Sequence, residues 1–403
     1  MRITYVLLHA YGMGGTIRTV VNQANAMAAA GHEVHLASLV RRRATAHFAL
    51  DERVRVVDIT DRRRDAPAVP RPRAAAPGAG DEPGTEVPPG EAAKDVFTRA
   101  VEDAFIDYLR SLDEGVLVTT RPGLNLLAAR HAPERLVRVA QDHMHLGRYK
   151  PEVRAAIVRD YPRLDAVVSL TRKDQAEYER ALAGRVRTAQ IPNPLHTLDV
   201  PQTGHESTVV VAAGRLTAQK GFHLLVPAFA QVVERHPGWR LHIHGSGKAE
   251  PRLRRLIHRH HLYNHVFLMG PSKNLDRELS KASVYVLSSR FEGFPMILLE
   301  ALNCGLPVAS FDCPTGPGEI IVDGENGLLV PHEDGDALAA AISRLIEDEG
   351  LRRTLGAAAR TTAAQYGPET VRRRWEMLFA HLLEEKELAM SDPGPGPRRS
   401  RHA

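Results

Sequence analysis

The stretch Val284-Tyr285-Val286-Leu287-Ser288-Ser289-Arg290-Phe291-Glu292-Gly293-Phe294-Pro295-Met296-Ile297-Leu298-Leu299-Glu300 decides the architecture. A β-branched and aromatic run ends in polar Ser288-Ser289-Arg290. Gly293 then bends the chain, and Pro295 stands where a first helical turn tolerates a residue without an N–H. The pattern predicts strand, sharp loop, helix. Backbone N–H groups of such a loop, together with the positive end of the helix dipole, seat an anion such as a phosphate. Glu292 and Glu300 can accept hydrogen bonds from hydroxyls, so a phosphate that carries sugars meets both demands. Glu292 falls in the loop and Glu300 about one and a half turns into the helix, at different depths of one cleft, where they would not share a proton.

Outward from this unit, strands and helices alternate. Downstream lie a strand at 306–311, helices near 334–348 and 350–365, and a last helix at about 368–388. Asp334 reads as the N-cap of its helix. Upstream, strands at 239–244 and 265–269 alternate with helices at 251–261 and 275–281, and the series opens with Thr208-Val209-Val210-Val211-Ala212-Ala213. Gly214-Arg215-Leu216-Thr217-Ala218-Gln219-Lys220-Gly221 follows that strand, and the planar fork of Arg215 with the compact charge of Lys220 can neutralise a pyrophosphate. The first half repeats the alternation, from a strand at 2–8 to one at 186–191. Such alternation gives α/β domains with parallel sheets covered on both faces, and ligands gather beyond the carboxyl ends of the strands. Two domains are expected, 1–197 and 206–367, joined by a polar linker, with a disordered tail at 389–403.

The first strand turns through Gly12-Met13-Gly14-Gly15-Thr16 into a helix. Gly-x-Gly-Gly is not the dinucleotide fingerprint, and the second strand runs into Arg41-Arg42-Arg43 where that fold wants an acid, which argues against a nicotinamide cofactor. Residues 62–93 are Pro, Ala, Gly, Arg and Glu with almost no large apolar side chain. They read as a disordered insertion that can be deleted with the fold intact. Val139-Ala140-Gln141-Asp142-His143-Met144-His145 ends another strand with two histidines, in a chain that holds 20.

Glu292-Gly293-Phe294-Pro295 with Glu300, Gly214-Arg215-Leu216 and Lys220-Gly221 resemble the signature of glycosyltransferase family 4. The resemblance covers about 1–60 and 94–388. It implies the GT-B arrangement: two Rossmann-like domains facing across a cleft, the donor held mainly by the second, the acceptor by the first, and the last helix crossing back to the first. The implied reaction moves a sugar from a UDP- or GDP-linked donor to a hydroxyl of a glycan, lipid-linked or small-molecule acceptor, with retention of configuration and without a metal. Arg215 and Lys220 would hold the leaving diphosphate, and Gly14 and Gly15 would let a helix N-terminus face it. Glu292, with the backbone of Gly293, Phe294, Pro295, Met296 and Ile297, would position the sugar. Glu300 would take the ribose, and Pro271 and Ser272 would meet the base. His143, with His145 in reserve, would lie near the reacting sugar. Phe311-Asp312-Cys313-Pro314-Thr315-Gly316-Pro317-Gly318-Glu319 resembles the loop after the core motif in bacterial polysaccharide and lipopolysaccharide members.

Composition sets the outer bounds. With 403 residues, 43% hydrophobic and 25% charged, the chain suits a two-domain protein without a membrane span. Met1–Leu8 is apolar for too short a run to be a signal peptide and reads as a buried strand, so the cytoplasm is the expected location, with peripheral contact to the inner membrane face. Two cysteines, Cys304 and Cys313, make neither a disulfide framework nor a zinc quartet. The net charge of +5 sits partly in the runs Arg41-Arg42-Arg43, Arg62-Arg63-Arg64 and Arg398-Arg399. No aromatic residues interleave with them as base-stacking platforms, which disfavours nucleic acid and leaves a solvated face or an anionic partner. Two other readings stay open: a sugar-nucleotide epimerase or phosphorylase-like enzyme of the same fold, and a catalytically inactive binding subunit of a polymer-assembly complex.

Overall fold

The computed structural model describes residues 1–63 and 82–391. They divide into two units, one of 1–170, 174–191 and 371 onward, the other of 171–173 and 192–370.

The first unit runs β1 (Arg2–Leu7), α1 (Gly15–Ala29), β2 (Glu33–Arg41), β3 (Val54–Asp61), α2 (Arg99–Arg110), β4 (Val116–Thr119), α3 (Pro122–His131), β5 (Val137–Gln141), α4 (Pro151–Asp160), β6 (Ala166–Ser169), α5 (Arg172–Leu182) and β7 (Arg187–Gln190). Its seven strands are parallel in the order β3-β2-β1-β4-β5-β6-β7. Inner strands such as Val116-Leu117-Val118-Thr119 are buried throughout, as a sheet covered on both faces requires.

The second unit runs β8 (Val209–Ala213), α6 (Phe222–Arg235), β9 (Arg240–His244), α7 (Glu250–Arg259), β10 (Val266–Gly270), α8 (Leu275–Ser280), β11 (Val284–Leu287), α9 (Met296–Asn303), β12 (Val308–Phe311), α10 (Pro317–Ile320), β13 (Leu328–Val330), α11 (Gly335–Glu347) and α12 (Glu349–Ala364). Its six parallel strands follow β10-β9-β8-β11-β12-β13. Asp334 Oδ1 accepts the Ala337 N–H and caps α11. In each sheet the strand order reverses once, between β1 and β4 and between β8 and β11. The loops that leave these neighbours diverge to opposite faces and open a crevice at the strands' carboxyl ends.

The last helix, α13 (Pro368–Ser391), belongs to the first unit from Val371 on. Val371, Trp375, Phe379 and Leu382 are buried with Ile3, Tyr5, Val20 and Val137. Lys386 Nζ lies 2.7 Å from the Asp165 carboxylate, and His32 Nε2 lies 2.8 Å from Glu376 Oε1.

Four expectations need correction. The domain boundary falls at 191/192, not near 197, and 198–205 is not a free linker. Leu195 is buried in the second unit's core, and the Thr203 N–H and Asn303 Nδ2 bond the carbonyls of Cys304 and Thr197. Strand β3 was not anticipated, because its charged, half-buried sequence marks a sheet edge instead of a core strand. Pro295 caps α9 from outside and does not stand in its first turn.

The fourth correction concerns the insertion. Residues 64–81 lie outside the described residues, but 82–93 are folded. Gly84 N–H donates to the Phe97 carbonyl, Val87 is 1% exposed in the core with Phe97 and Leu124, and the Glu102 carboxylate accepts the N–H groups of Glu86 and Val87. One buried valine and a set of satisfied polar groups hold what the composition alone could not show. Of the expected tail, 389–391 continue α13 and 392–403 lie outside the described residues. Val87→Ala is accordingly expected to lower stability by about 2 kcal/mol, the scale for deleting two buried methyl groups. Thermal unfolding checks this, and an unchanged midpoint would show that the segment does not contribute to the core.

Candidate functional site

At the β8/β11 crevice, the loop after β8 (214–221) meets the loop after β11 (288–295). Lys220 Nζ and Glu292 Oε1 are 2.6 Å apart, with side chains 13% and 7% exposed. Ser289 Oγ donates to the same oxygen at 2.5 Å. The backbones are laced beside this pair: Arg290 N–H donates to the Gln219 carbonyl, Gln219 Nε2 to the Phe291 carbonyl, and Ser288 Oγ to the Lys220 carbonyl. Gly221 makes the approach possible. Its φ is 65°, and a Cβ there would stand 1.8 Å from the Ser288 carbonyl oxygen.

A third loop closes on these two. Glu292 N–H donates to the Pro314 carbonyl, while the Thr315 N–H and Oγ1 both donate to the Glu292 carbonyl. Phe294 lies 5.9 Å from the Tyr366 ring. The segment that leads into α9 is therefore held on both sides. Glu300 is half-buried on α9, and Arg215 is exposed at the rim beyond β8. Pro271 and Ser272 follow β10 at the sheet's far edge, where Ser272 Oγ accepts the Asn274 N–H. The second unit thus joins Lys220 directly to Glu292. Ser289, Gln219 and Thr315 were missed, since only through-space partnering marks a Ser, Gln or Thr in a loop.

The first unit has its own opening, at the β1/β4 crevice. A cavity of ≈ 540 Å³ is lined by His9, Gly14 and Gly15 after β1, Arg121 after β4, and His143 after β5, with Glu91 from the folded insertion. Both ring nitrogens of His143 are buried without a hydrogen-bond partner among the described residues, and burial pushes its pKa down to about 4, so the ring is neutral at pH 7. His145 lies outside this lining. Its Nδ1 accepts the Gly147 N–H at 2.8 Å and stands 3.3 Å from Glu177 Oε2. Among the described residues, His145, Asp174 and Glu177 are the group whose ligand atoms, within 4.8 Å of one another, have a metal-like disposition, but the Nδ1 lone pair is already engaged. Gly14, Gly15 and His143 come together in the first unit, and Lys220 and Glu292 in the second.

Behind His143, Asp142 is buried and accepts the hydroxyls of Tyr149, Tyr161 and Tyr178 at 3.0, 3.2 and 2.5 Å. Burial raises its pKa, the three phenols lower it, and the result is about 6. Burial and the neighbouring Asp142 push the tyrosines well above their usual range, so they remain donors. No local pattern in the sequence marks this cluster, because the tyrosines lie 7, 19 and 36 positions further along the chain. The sign of the pH effect follows. Below about pH 4 the group is protonated folded and unfolded; from there to about 6 only the folded state keeps the proton, so its contribution to stability falls as pH rises. Against Asp142→Asn, the wild type should lose relative stability between pH 4 and 6 and no more above that. Urea unfolding across pH measures this, and a pH-independent difference would contradict the buried carboxyl.

No helix among the described residues is long and apolar enough to cross a membrane. Residues 199–362 match the family model described as Glycosyl transferases group 1. An exopolysaccharide phosphotransferase of Streptomyces coelicolor is 35% identical over 399 residues, which cover 96% of this chain but only 41% of that protein. The amylovoran biosynthesis glycosyltransferase AmsD of Erwinia amylovora is 31% identical over 284 residues, 67% of this chain and 79% of that one. Among solved structures, Staphylococcus aureus TarM, in complex with Fondaparinux, alpha-GlcNAc-glycerol and UDP, superposes with a TM-score of 0.74 at 14% identity, covering 94% of this chain and 99% of that one. That likeness is one of fold, the GT-B pairing of two parallel-sheet α/β domains. The matched span includes every loop of the Lys220–Glu292 site, and the chain belongs to the group 1 glycosyltransferases.

Proposed function

We propose that the chain is a family 4 enzyme that transfers a sugar from a UDP- or GDP-linked donor to a hydroxyl of a glycan, lipid-linked or small-molecule acceptor, with retention and without a metal. The observation that carries this reading is the Lys220–Glu292 pair, which sets a cation and a hydroxyl acceptor side by side at the head of α9. Lys220 and Arg215 face the charge that grows on the departing diphosphate. Glu292 accepts from sugar hydroxyls, with the backbone from Gly293 to Ile297 completing the seat. Glu300 binds the ribose, Pro271 and Ser272 flank the base, and neutral His143, in the first unit's cavity, meets a sugar hydroxyl through a ring nitrogen. UDP, named in the TarM complex, is the first nucleotide to try.

Retention is the outcome that the family resemblance implies, and what the second unit offers supports it. A double displacement needs a carboxylate free to attack the anomeric carbon, and Glu292 is tied to Lys220 and Ser289. In same-face attack the acceptor oxygen bonds to the anomeric carbon as its bond to the phosphate oxygen breaks, and that phosphate oxygen takes the acceptor's proton. The protein's cations carry the charge a metal would otherwise neutralise, and peripheral contact with an anionic membrane face in the cytoplasm suits the exposed arginines.

Two measurements test this. NMR of product made from an α-linked donor should show an α-anomeric coupling; a β-linked product would overturn the mechanism. Lys220→Ala should lower turnover about a hundredfold, the scale for losing one charge-stabilising donor, whereas Glu300→Ala should mainly weaken nucleotide binding. Small, equal effects of both would place the donor elsewhere.

A further inference from the structure

The first unit's cavity carries more positive charge than a neutral sugar requires. Arg121, Arg148 and Lys150 line it against one lining carboxylate, Glu91. Glu91 is already committed: it pairs with the Arg121 guanidinium and accepts the Gly123 N–H at 3.0 Å. Arg42 and Arg43 lie near enough to join burial and Arg121 in depressing the pKa of His9. The first turn of α1, whose Gly14, Gly15 and Thr16 also line the cavity, contains no acidic residue.

Two observations mark polar atoms that no described residue satisfies. Arg121 Nε is buried without a partner among the described residues, as are both nitrogens of His143. Glu91 holds the Arg121 guanidinium through Nη2 and so acts as a positioning residue. A neutral glycan hydroxyl could accept from Arg121 Nε, but only as a single uncharged acceptor. A phosphate oxyanion would match the fork and be reinforced by Arg148 and Lys150 at the exposed mouth.

We infer that this cavity takes a phosphate-bearing acceptor, its phosphate against Arg121, Arg148 and Lys150 and a sugar or polyol hydroxyl against His143. The inference rests on the proposed transfer reaction only in calling the ligand an acceptor. The charge also fits the diphosphate of a donor, and the experiment separates the two.

The full chain, saturated with UDP, is titrated calorimetrically with glycerol 3-phosphate and glucose 6-phosphate, and in parallel with glycerol and glucose. The phosphorylated probes should bind at least about tenfold tighter, the worth of one hydrogen bond to a charged group, and lose affinity as salt rises from about 0.05 to about 0.5 M. Arg148→Ala/Lys150→Ala, at two exposed positions, should remove that preference and leave UDP affinity unchanged. Equal binding of phosphorylated and neutral probes would overturn the inference, as would an unaltered preference in the double variant. Phosphorylated probes that bind the chain without UDP but not the UDP-saturated chain would also overturn it and assign the cavity to the donor's diphosphate. If UDP does not bind at all, the transfer reading fails, while the comparison of probes still reports on the cavity.

Discussion

The ion pair between Lys220 and Glu292 is the contact on which the second unit's site depends. Taking both charges out of water costs about what their attraction returns, so the pair adds little net stability. Its consequence is geometric. Lys220 ends a turn that reaches the loop after β11 only because Gly221 has no Cβ to strike the Ser288 carbonyl. Glu292 in turn stands where Ser289 and the Thr315 loop hold it. A cation and a carboxylate brought together in this way, beside a helix N-terminus, are set before any ligand arrives, so little reorganisation remains when charge develops.

The same topological constraint acts twice. Parallel strands joined by helices must reverse order somewhere, and the reversal leaves a gap where two loops part. In the second unit the gap lies beside β8 and β11 and is bridged by charge. In the first it lies beside β1 and β4 and remains a cavity rimmed by His9, Arg121 and His143. The folded segment 82–93 adds Glu91 to that rim, so a stretch that looks like an insertion shapes what the cavity can hold.

Much of this was legible in the sequence. Long apolar strands such as Val209–Ala213 and Val284–Leu287 announce a doubly covered sheet, and loops rich in Gly, Arg, Lys and Glu just after them announce a site. Glu292 and Lys220 could be named because backbone chemistry and charge both pointed at them. Edge strand β3 could not, since its half-buried sequence carries Arg55, Asp58 and Asp61 among its apolar residues. Nor could the packing of Val87, where one side chain and several satisfied backbone groups replace a hydrophobic pattern. The Asp142 cluster depends on tyrosines drawn from α4's flanks and α5, and Thr315 reaches Glu292 across 23 positions of sequence. Contacts of that kind are set by the tertiary fold, and local residue patterns carry no trace of them.

Amide hydrogen exchange with and without UDP tests the central claim most directly, because it reads each loop separately in the intact chain. If the Lys220–Glu292 site seats the donor nucleotide, UDP should slow exchange at 214–221 and 288–296 together, since these loops are tied by four hydrogen bonds or ion contacts. Slowed exchange elsewhere, with both segments unchanged, would contradict it.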